Sequence, residues 1–195
     1  MSLRAYYRNP TAGDLSLPLD SGRPVSEEKL RALGCKWWSV EGSLDQRMKT
    51  FRELSKTLGF KDGDTEHFFD LSKETAGSPH DLAMAPKAVL ESWGKDLLIP
   101  DPIIVLYVAS NMYIDLKEPG TDSFIRLVVP PKYAIFYPGG TVFQASSHDD
   151  DLLGLQVHVL YKGTDPANVF VFGEEVDKHP ARVDYVQRVC SDAEA

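Results

Sequence analysis

Residues 95–116, KDLLIPDPIIVLYVASNMYIDL, contain the longest apolar run of the chain, which extends from Ile103 to Ala109. A short unbroken run of this kind, rich in β-branched residues and bounded by proline and serine, predicts a fully buried strand. The segment MYIDL follows as a second strand of more ordinary composition. Leu97, Ile99 and Ile103 lie in or beside this buried strand, where apolar side chains are expected. The question is which part of the interior their side chains surround.

The chain after residue 97 consists largely of strand-like segments separated by turns. The segments are IIVLYVAS, MYIDL, SFIRLVV, YAIFYPGG, LGLQVHVLY and NVFVFG, with turn signals at Pro119-Gly120, Pro130-Pro131 and Gly139-Gly140. A final segment, DKHPARVDYVQRV, predicts a closing helix. The pattern predicts an α+β fold whose C-terminal half closes as a β-barrel or sandwich.

The N-terminal part carries helix signals. Ser26 caps a short helix, and Ser43 with Gln46 forms the capping-box signature of a longer one. The segments DTEHFFDLS and PHDLAMAPKAVLESWG predict two further helices, and PTAGDLSLPLDSGRPV predicts an extended arm lying on the body of the protein. We therefore expect a helical N-terminal part before the strands.

The composition excludes several classes of partner. With 43% apolar and 26% charged residues the chain is typical of a globular protein, and its formal net charge of -8 argues against a nucleic-acid partner. No apolar run is long enough for a membrane span, and the N-terminus lacks the apolar core of a secretory signal. Cys35 and Cys190 form no CxxC pair, and we predict reduced thiols in a cytoplasmic protein, with Cys35 as a small buried residue.

Several segments resemble the acireductone dioxygenases, the metal-dependent cupins of methionine salvage. They are LRAYY, SGRPVSEEKLRALGCKWW, YIDL, FIRLVVPPKYAIFYPGGTVF and HPARVDYVQRV. The resemblance covers almost the whole chain and implies one cupin domain with a jelly-roll β-barrel. It places N-terminal strands and helices in residues 1–92, the barrel core in 93–175, and the C-terminal helix and tail in 176–195.

The resemblance also implies where a metal site would lie. The family binds Fe(II) or Ni(II) through an H-x-H-x-x-x-E segment and one later histidine, a ligand set that suits these metals. With YIDL and PGGTVF as anchors, the four ligand slots fall on Leu97, Ile99, Ile103 and Phe143, and the slot of the substrate-binding arginine falls on Val105. The chain contains no H-x-H segment, so no shift of this alignment restores the motif.

Loss of these ligands indicates a catalytically inactive relative without a metal cofactor. A buried histidine or glutamate without its cation is costly, so removal of the metal favours apolar replacements, and we expect the replacements to form a packed plug. The chain is then a structural, scaffolding or binding subunit with protein partners, in the cytoplasm and within a larger assembly.

Two alternatives remain at this stage. An active acireductone dioxygenase-type enzyme could bind its metal through other residues, of which His148 in SSHDDD and His158 in LQVHVLY are the alternative contacts. Leu155, Val157, Val159 and Tyr161 share one apolar face, which places His158 on the opposite face of its strand. The second alternative is a metal-free pocket that binds a small apolar ligand.

Overall fold

The computed structural model describes residues 3–10, 13–70, 94–147, 155–163 and 170–193. The helix predicted within residues 79–94 lies almost entirely outside these ranges, as does His148. The strands are β1 (Arg4–Arg8), β2 (Asp20–Pro24), β3 (Lys36–Ser39), β4 (Thr65–Asp70), β5 (Leu97–Ile99), β6 (Ile103–Ala109), β7 (Met112–Lys117), β8 (Phe124–Val129), β9 (Tyr133–Tyr137), β10 (Thr141–Ser147), β11 (Gln156–Tyr161) and β12 (Val171–Phe172). The α-helices are α1 (Glu27–Ala32), α2 (Leu44–Thr57) and α3 (Pro180–Ala193).

The strands form two antiparallel sheets that face each other across the main core. One has seven strands in the order β12-β5-β10-β7-β8-β1-β2, and the other has five in the order β3-β9-β6-β11-β4. Of the predicted barrel and sandwich, the described part of the chain forms two facing sheets and not a closed barrel. Two of the four edge strands are short, with two residues in β12 and four in β3, so these edges offer few backbone groups for a ladder that would join the sheets.

The described residues of the N-terminal part are less helical than predicted. It contributes β1 and β2 to the larger sheet and β3 and β4 to the smaller one. The helix predicted within DTEHFFDLS is wrong, because Thr65–Asp70 forms the edge strand β4, which pairs with β11. A short segment with two adjacent phenylalanines does not distinguish a helix from a strand, and here the ladder to β11 decides the outcome.

Helix α2 begins where its capping signals predict. The Ser43 hydroxyl accepts a hydrogen bond from the Gln46 amide, and the Gln46 side chain accepts one from the Ser43 amide. The apolar side of α2, including the fully buried Phe51, packs on the outer face of β6. No helix within the described residues is long and apolar enough to cross a membrane.

Strand β6 is buried on both faces, which explains its unbroken apolar run. Ile103, Val105 and Tyr107 face the core between the sheets, whereas Ile104 and Leu106 pack with the outer cluster that includes Phe51 of α2. Successive side chains of a strand point to opposite faces, so a strand covered on both sides needs apolar residues at every position.

Candidate functional site

A cavity of about 140 Å³ lies between the two sheets. Its lining is apolar apart from one lysine and the hydroxyls of two tyrosines. The described lining residues are Phe69, Lys95, Leu97, Ile99, Ile103, Val105, Tyr107, Met112, Ile114, Phe143, Ala145, Leu155, Val157, Val159, Tyr161 and Phe170.

The strand register brings together all five positions that the resemblance singled out. Leu97 of β5 lies directly opposite Phe143 of β10, and Ile99 lies two residues along on the same face of β5. Ile103 and Val105 reach the cavity from β6 in the other sheet. Residues far apart in the chain therefore converge on one space.

The side chains at these five positions leave a cavity between them, whereas we expected them to form a packed plug. Ile99 and Ile103 are 3% and 2% exposed and form the closed end. Leu97 and Phe143 are only half-buried and Lys95 is exposed, so these residues form a mouth. The Phe143 ring stacks on Tyr137 with 6.1 Å between ring centroids, which orients the ring at the side of the cavity.

Polar atoms around the cavity are few and buried. The hydroxyls of Tyr107 and Tyr137 form a hydrogen bond of 2.9 Å, and burial raises the pKa of both phenols. Burial also raises the pKa of Tyr161, and among the described residues its hydroxyl has no hydrogen-bond partner. Cys35 is buried as predicted, and desolvation raises the pKa of its thiol to about 12, so it is not a nucleophile at neutral pH.

The chain is similar along almost its whole length to known proteins of one kind. It is 26% identical over 187 residues to acireductone dioxygenase 1 of Coprinopsis cinerea, which covers 96% of this chain and 98% of that protein. Acireductone dioxygenase 2 of the same organism is 24% identical over 187 residues, covering 95% of this chain and 86% of that protein. No protein-family model matches the chain.

A solved structure shares the fold. The structure of acireductone dioxygenase from Bacillus anthracis with a cadmium ion in its active centre matches with a TM-score of 0.50 and 13% identity, covering 82% of this chain and 92% of that one. The chain is thus similar to the acireductone dioxygenases in sequence and shares the fold of one of them. The cadmium ion is bound by the Bacillus protein. Whether the present cavity fits a metal ion depends on the donor atoms of its own lining residues.

The described lining of the cavity does not fit Fe(II) or Ni(II). In proteins these metals are bound by neutral imidazole, carboxylate or thiolate donors. None of the described lining residues carries such a group, and nowhere in the described ranges do three or more His, Cys, Asp or Glu side chains come together. The polar groups that are present belong to lysine and tyrosine, which are ordinarily protonated at neutral pH.

His158, one of the two alternative metal contacts, faces away from the cavity. Its neighbours Val157 and Val159 line the cavity, while its Nε2 lies 2.5 Å from Glu66 Oε1 on the outer face. Its ring also contacts Phe51 and Phe68, with centroids 5.7 Å away in each case. The predicted shared face of Leu155, Val157, Val159 and Tyr161 is thus confirmed.

Two cavity residues show what sequence reasoning missed. Phe69 lines the cavity, but its segment was predicted as a helix. Tyr107 lines it as well, and its only signal is the period-two alternation of β6. His67 contacts Tyr161 with ring centroids 5.6 Å apart and is not itself among the lining residues.

Proposed function

We propose that this acireductone dioxygenase-like cupin is catalytically inactive and works as a binding subunit. The observation that carries the proposal is the apolar lining of the cavity, where Leu97, Ile99, Ile103 and Phe143 stand in the slots that the resemblance gives to metal ligands. The arginine slot holds Val105, so a group to hold an anionic substrate is missing from that slot as well.

The replacements support loss of function rather than exchange of one metal site for another. A buried polar side chain without a partner costs about 1–3 kcal/mol, and a charged one costs more. A chain that has lost its cation is therefore stabilised when the former ligands become aliphatic or aromatic. Ile99 and Ile103, at 3% and 2% exposure, are buried to the degree that such a change requires.

The proposal includes a protein partner in the cytoplasm. A cupin that has lost its catalytic activity but keeps its sheets and core still has a rigid surface. Such a surface can bind other proteins as a scaffold within a larger assembly. We expect the native protein, purified gently from its source, to migrate with a stoichiometric partner. A lone monomer with turnover contradicts this part of the proposal.

The first test is metal content with oxygen consumption. Protein purified without chelator, and again after incubation with Fe(II) or Ni(II) and gel filtration, is expected to hold far less than one metal ion per chain by elemental mass spectrometry. Oxygen uptake with an acireductone is expected to stay at the rate without protein. Near-stoichiometric iron or nickel with chelator-sensitive oxygen uptake is the opposite result, and it would make the chain an enzyme with ligands outside the four slots.

A gain-of-ligand variant is the matched control. The changes Leu97→His, Ile99→His, Ile103→Glu and Phe143→His restore histidine and glutamate to the four slots. If the slots are assigned correctly, the folded variant binds Ni(II) whereas the parent does not. A variant that folds, as judged by circular dichroism, yet binds no more Ni(II) than the parent contradicts the slot assignment.

A further inference from the structure

We propose that the cavity binds a small uncharged molecule that is largely apolar and carries one hydrogen-bond acceptor, which the Tyr161 hydroxyl holds. This inference rests on the proposed function, because it requires an interior without a metal. It deepens that function by giving a chemical class to the ligand. A ligand of this class differs from the cadmium ion in the Bacillus structure.

The size of the cavity limits the ligand. An apolar cavity of roughly 150 Å³ lined by aliphatic and aromatic side chains accepts a molecule the size of benzene. The present cavity has about 140 Å³ and a lining of the same character. A single six-membered ring or a short branched chain therefore fits, whereas a nucleotide or a sugar phosphate does not.

The charge of the lining selects a neutral ligand. The deep residues Ile99, Ile103 and Ile114 are apolar and almost fully buried. The one charged lining side chain in the described ranges, Lys95, is exposed at the mouth. An ion at the closed end would lose its hydration without gaining a partner, so the interior favours molecules without charge.

Tyr161 supplies the polar contact. It is 5% exposed, lines the cavity, and has a hydroxyl without a hydrogen-bond partner among the described residues. The other lining tyrosine, Tyr107, has its hydroxyl already bonded to that of Tyr137 at 2.9 Å. A donor in an apolar cavity that has no partner among the described residues gains a hydrogen bond when a ligand brings an acceptor.

The mouth gives the ligand a route. Leu97, Phe143, Val157 and Phe170 are half-buried lining residues, in contrast to the deep isoleucines. A small molecule can therefore enter between side chains of the two sheets without separation of the strands. The same residues are apolar, so the entrance also favours an uncharged molecule.

The experiment uses two probes of equal non-hydrogen atom count. Cyclohexanone carries an acceptor and toluene does not. Methyl resonances of the cavity isoleucines and valines are followed by NMR during titration of the full chain with each probe. We expect saturable shifts confined to cavity residues with both probes, and tighter binding of cyclohexanone.

Five variants locate the binding, one of them a replacement for another. Ala145→Leu fills the cavity and is expected to abolish binding of both probes, and Val159→Leu replaces it if that variant does not fold. Tyr161→Phe is expected to weaken cyclohexanone about three- to tenfold, the effect of one hydrogen bond, and to leave toluene unchanged. The controls Val128→Leu, on the outer face of β8, and Tyr185→Phe, a buried tyrosine outside the lining, are expected to change neither affinity.

Three results overturn the inference. They are absence of saturable cyclohexanone binding by the parent, binding that survives the filled cavity, and equal effects of Tyr161→Phe on the two probes. Metal content is measured on the same sample. Metal-free protein that binds no probe overturns the ligand proposal alone, whereas protein with stoichiometric metal and oxygen uptake overturns the proposed function.

Discussion

Arg126 and Asp115 form the most deeply buried ion pair among the described residues. Arg126 donates from Nε and Nη2 to the two carboxylate oxygens of Asp115, each at 2.7 Å, and Arg8 Nη1 donates to Asp115 Oδ2 at 2.7 Å. Arg126 and Asp115 are 0% and 1% exposed. Arg126 also donates to the backbone carbonyls of Leu17 and Pro18, which fixes the N-terminal arm over the outer face of the larger sheet.

Replacement of Asp115 is expected to be severely destabilising. Asp115→Asn leaves two arginines, one of them fully buried, without a negative partner, and removal of one member of a buried pair costs about 3–5 kcal/mol. Denaturant unfolding measures the loss. The control Glu175→Gln removes an exposed pair with Lys178, for which we expect less than about 1 kcal/mol. Equal losses of unfolding free energy for the two substitutions would show that the buried pair stabilises the protein no more than the exposed pair does.

His158 gives the stability a pH dependence. Desolvation lowers its pKa from the ordinary value of 6.5, against the opposing influence of Glu66 and with smaller contributions from Arg52 and His67. The unfolded chain therefore binds the proton more tightly than the folded protein. The stabilising effect is present above about pH 6.5 and is lost as the pH falls through the lower folded pKa.

The corresponding measurement is the free energy of unfolding at several pH values between about 7 and 5. The parent is expected to lose stability as the pH falls across this interval. His158→Gln, which removes the titrating ring, is expected to show a shallower dependence over the same interval. Parallel curves for the two proteins contradict the assignment of the slope to His158.

The turn between β9 and β10 positions the closing helix. Gly140 has φ +82°, and a Cβ at this position would lie 2.6 Å from Tyr185 Cβ and overlap the Ala181 carbonyl. Tyr185 in turn donates a hydrogen bond of 2.9 Å to the Leu33 carbonyl. At the start of α3, His179 Nδ1 accepts a hydrogen bond from the Ala181 amide. Helix α3 therefore depends on a glycine in the turn beneath it.

Gly140→Ala is expected to displace α3. Gly22 is the matched control, since its φ is +73° and a methyl group added there would have nothing within 4 Å. Both substitutions carry the left-handed backbone penalty of about 1–2 kcal/mol. Overlap with α3 is expected to add about 2 kcal/mol at Gly140 alone, measured by denaturant unfolding. A difference of less than a few tenths of a kcal/mol would mean that α3 shifts freely.

The whole molecule tolerates a sizeable space inside its core. At about 24 cal/mol per Å³, an empty cavity of about 140 Å³ lowers stability by about 3.4 kcal/mol. The space lies where the two sheets face each other, and residues of both sheets line it. Such a cavity persists either because it binds a ligand or because none of the surrounding side chains is large enough to fill it.

Filling the cavity is expected to stabilise the protein. Ala145→Leu adds apolar atoms to a half-buried lining position, and cavity-filling changes commonly add about 0.5–2 kcal/mol. The midpoint of denaturant unfolding is expected to rise, with an unchanged dependence on denaturant concentration. Val128→Leu, on the outer face, is expected to leave the midpoint unchanged. Destabilisation by Ala145→Leu would indicate that the space is too narrow for added side-chain atoms.

The local elements were largely predictable, because their causes lie within a few neighbouring residues. The Ser43–Gln46 capping box predicts the start of α2, and the alternation around His158 predicts which side of β11 faces inward. The apolar run from Ile103 to Ala109 predicts a buried strand, and the structure shows that it is covered on both faces. The sequence by itself also determined that histidine and glutamate are missing from the ligand slots implied by the resemblance.

Only the tertiary structure decided how distant positions meet. Pairing of Leu97 with Phe143, or of Asp115 with Arg126, depends on strand register across separate parts of the chain. Strand β4 exists because β11 offers it a ladder. The strand pattern allowed a barrel or a sandwich, and the pairing of the strands in two separate sheets decided between them for the described residues. Side-chain identity determines that the interior is apolar, whereas the spacing of the sheets determines that the same residues surround a cavity instead of closing into a plug.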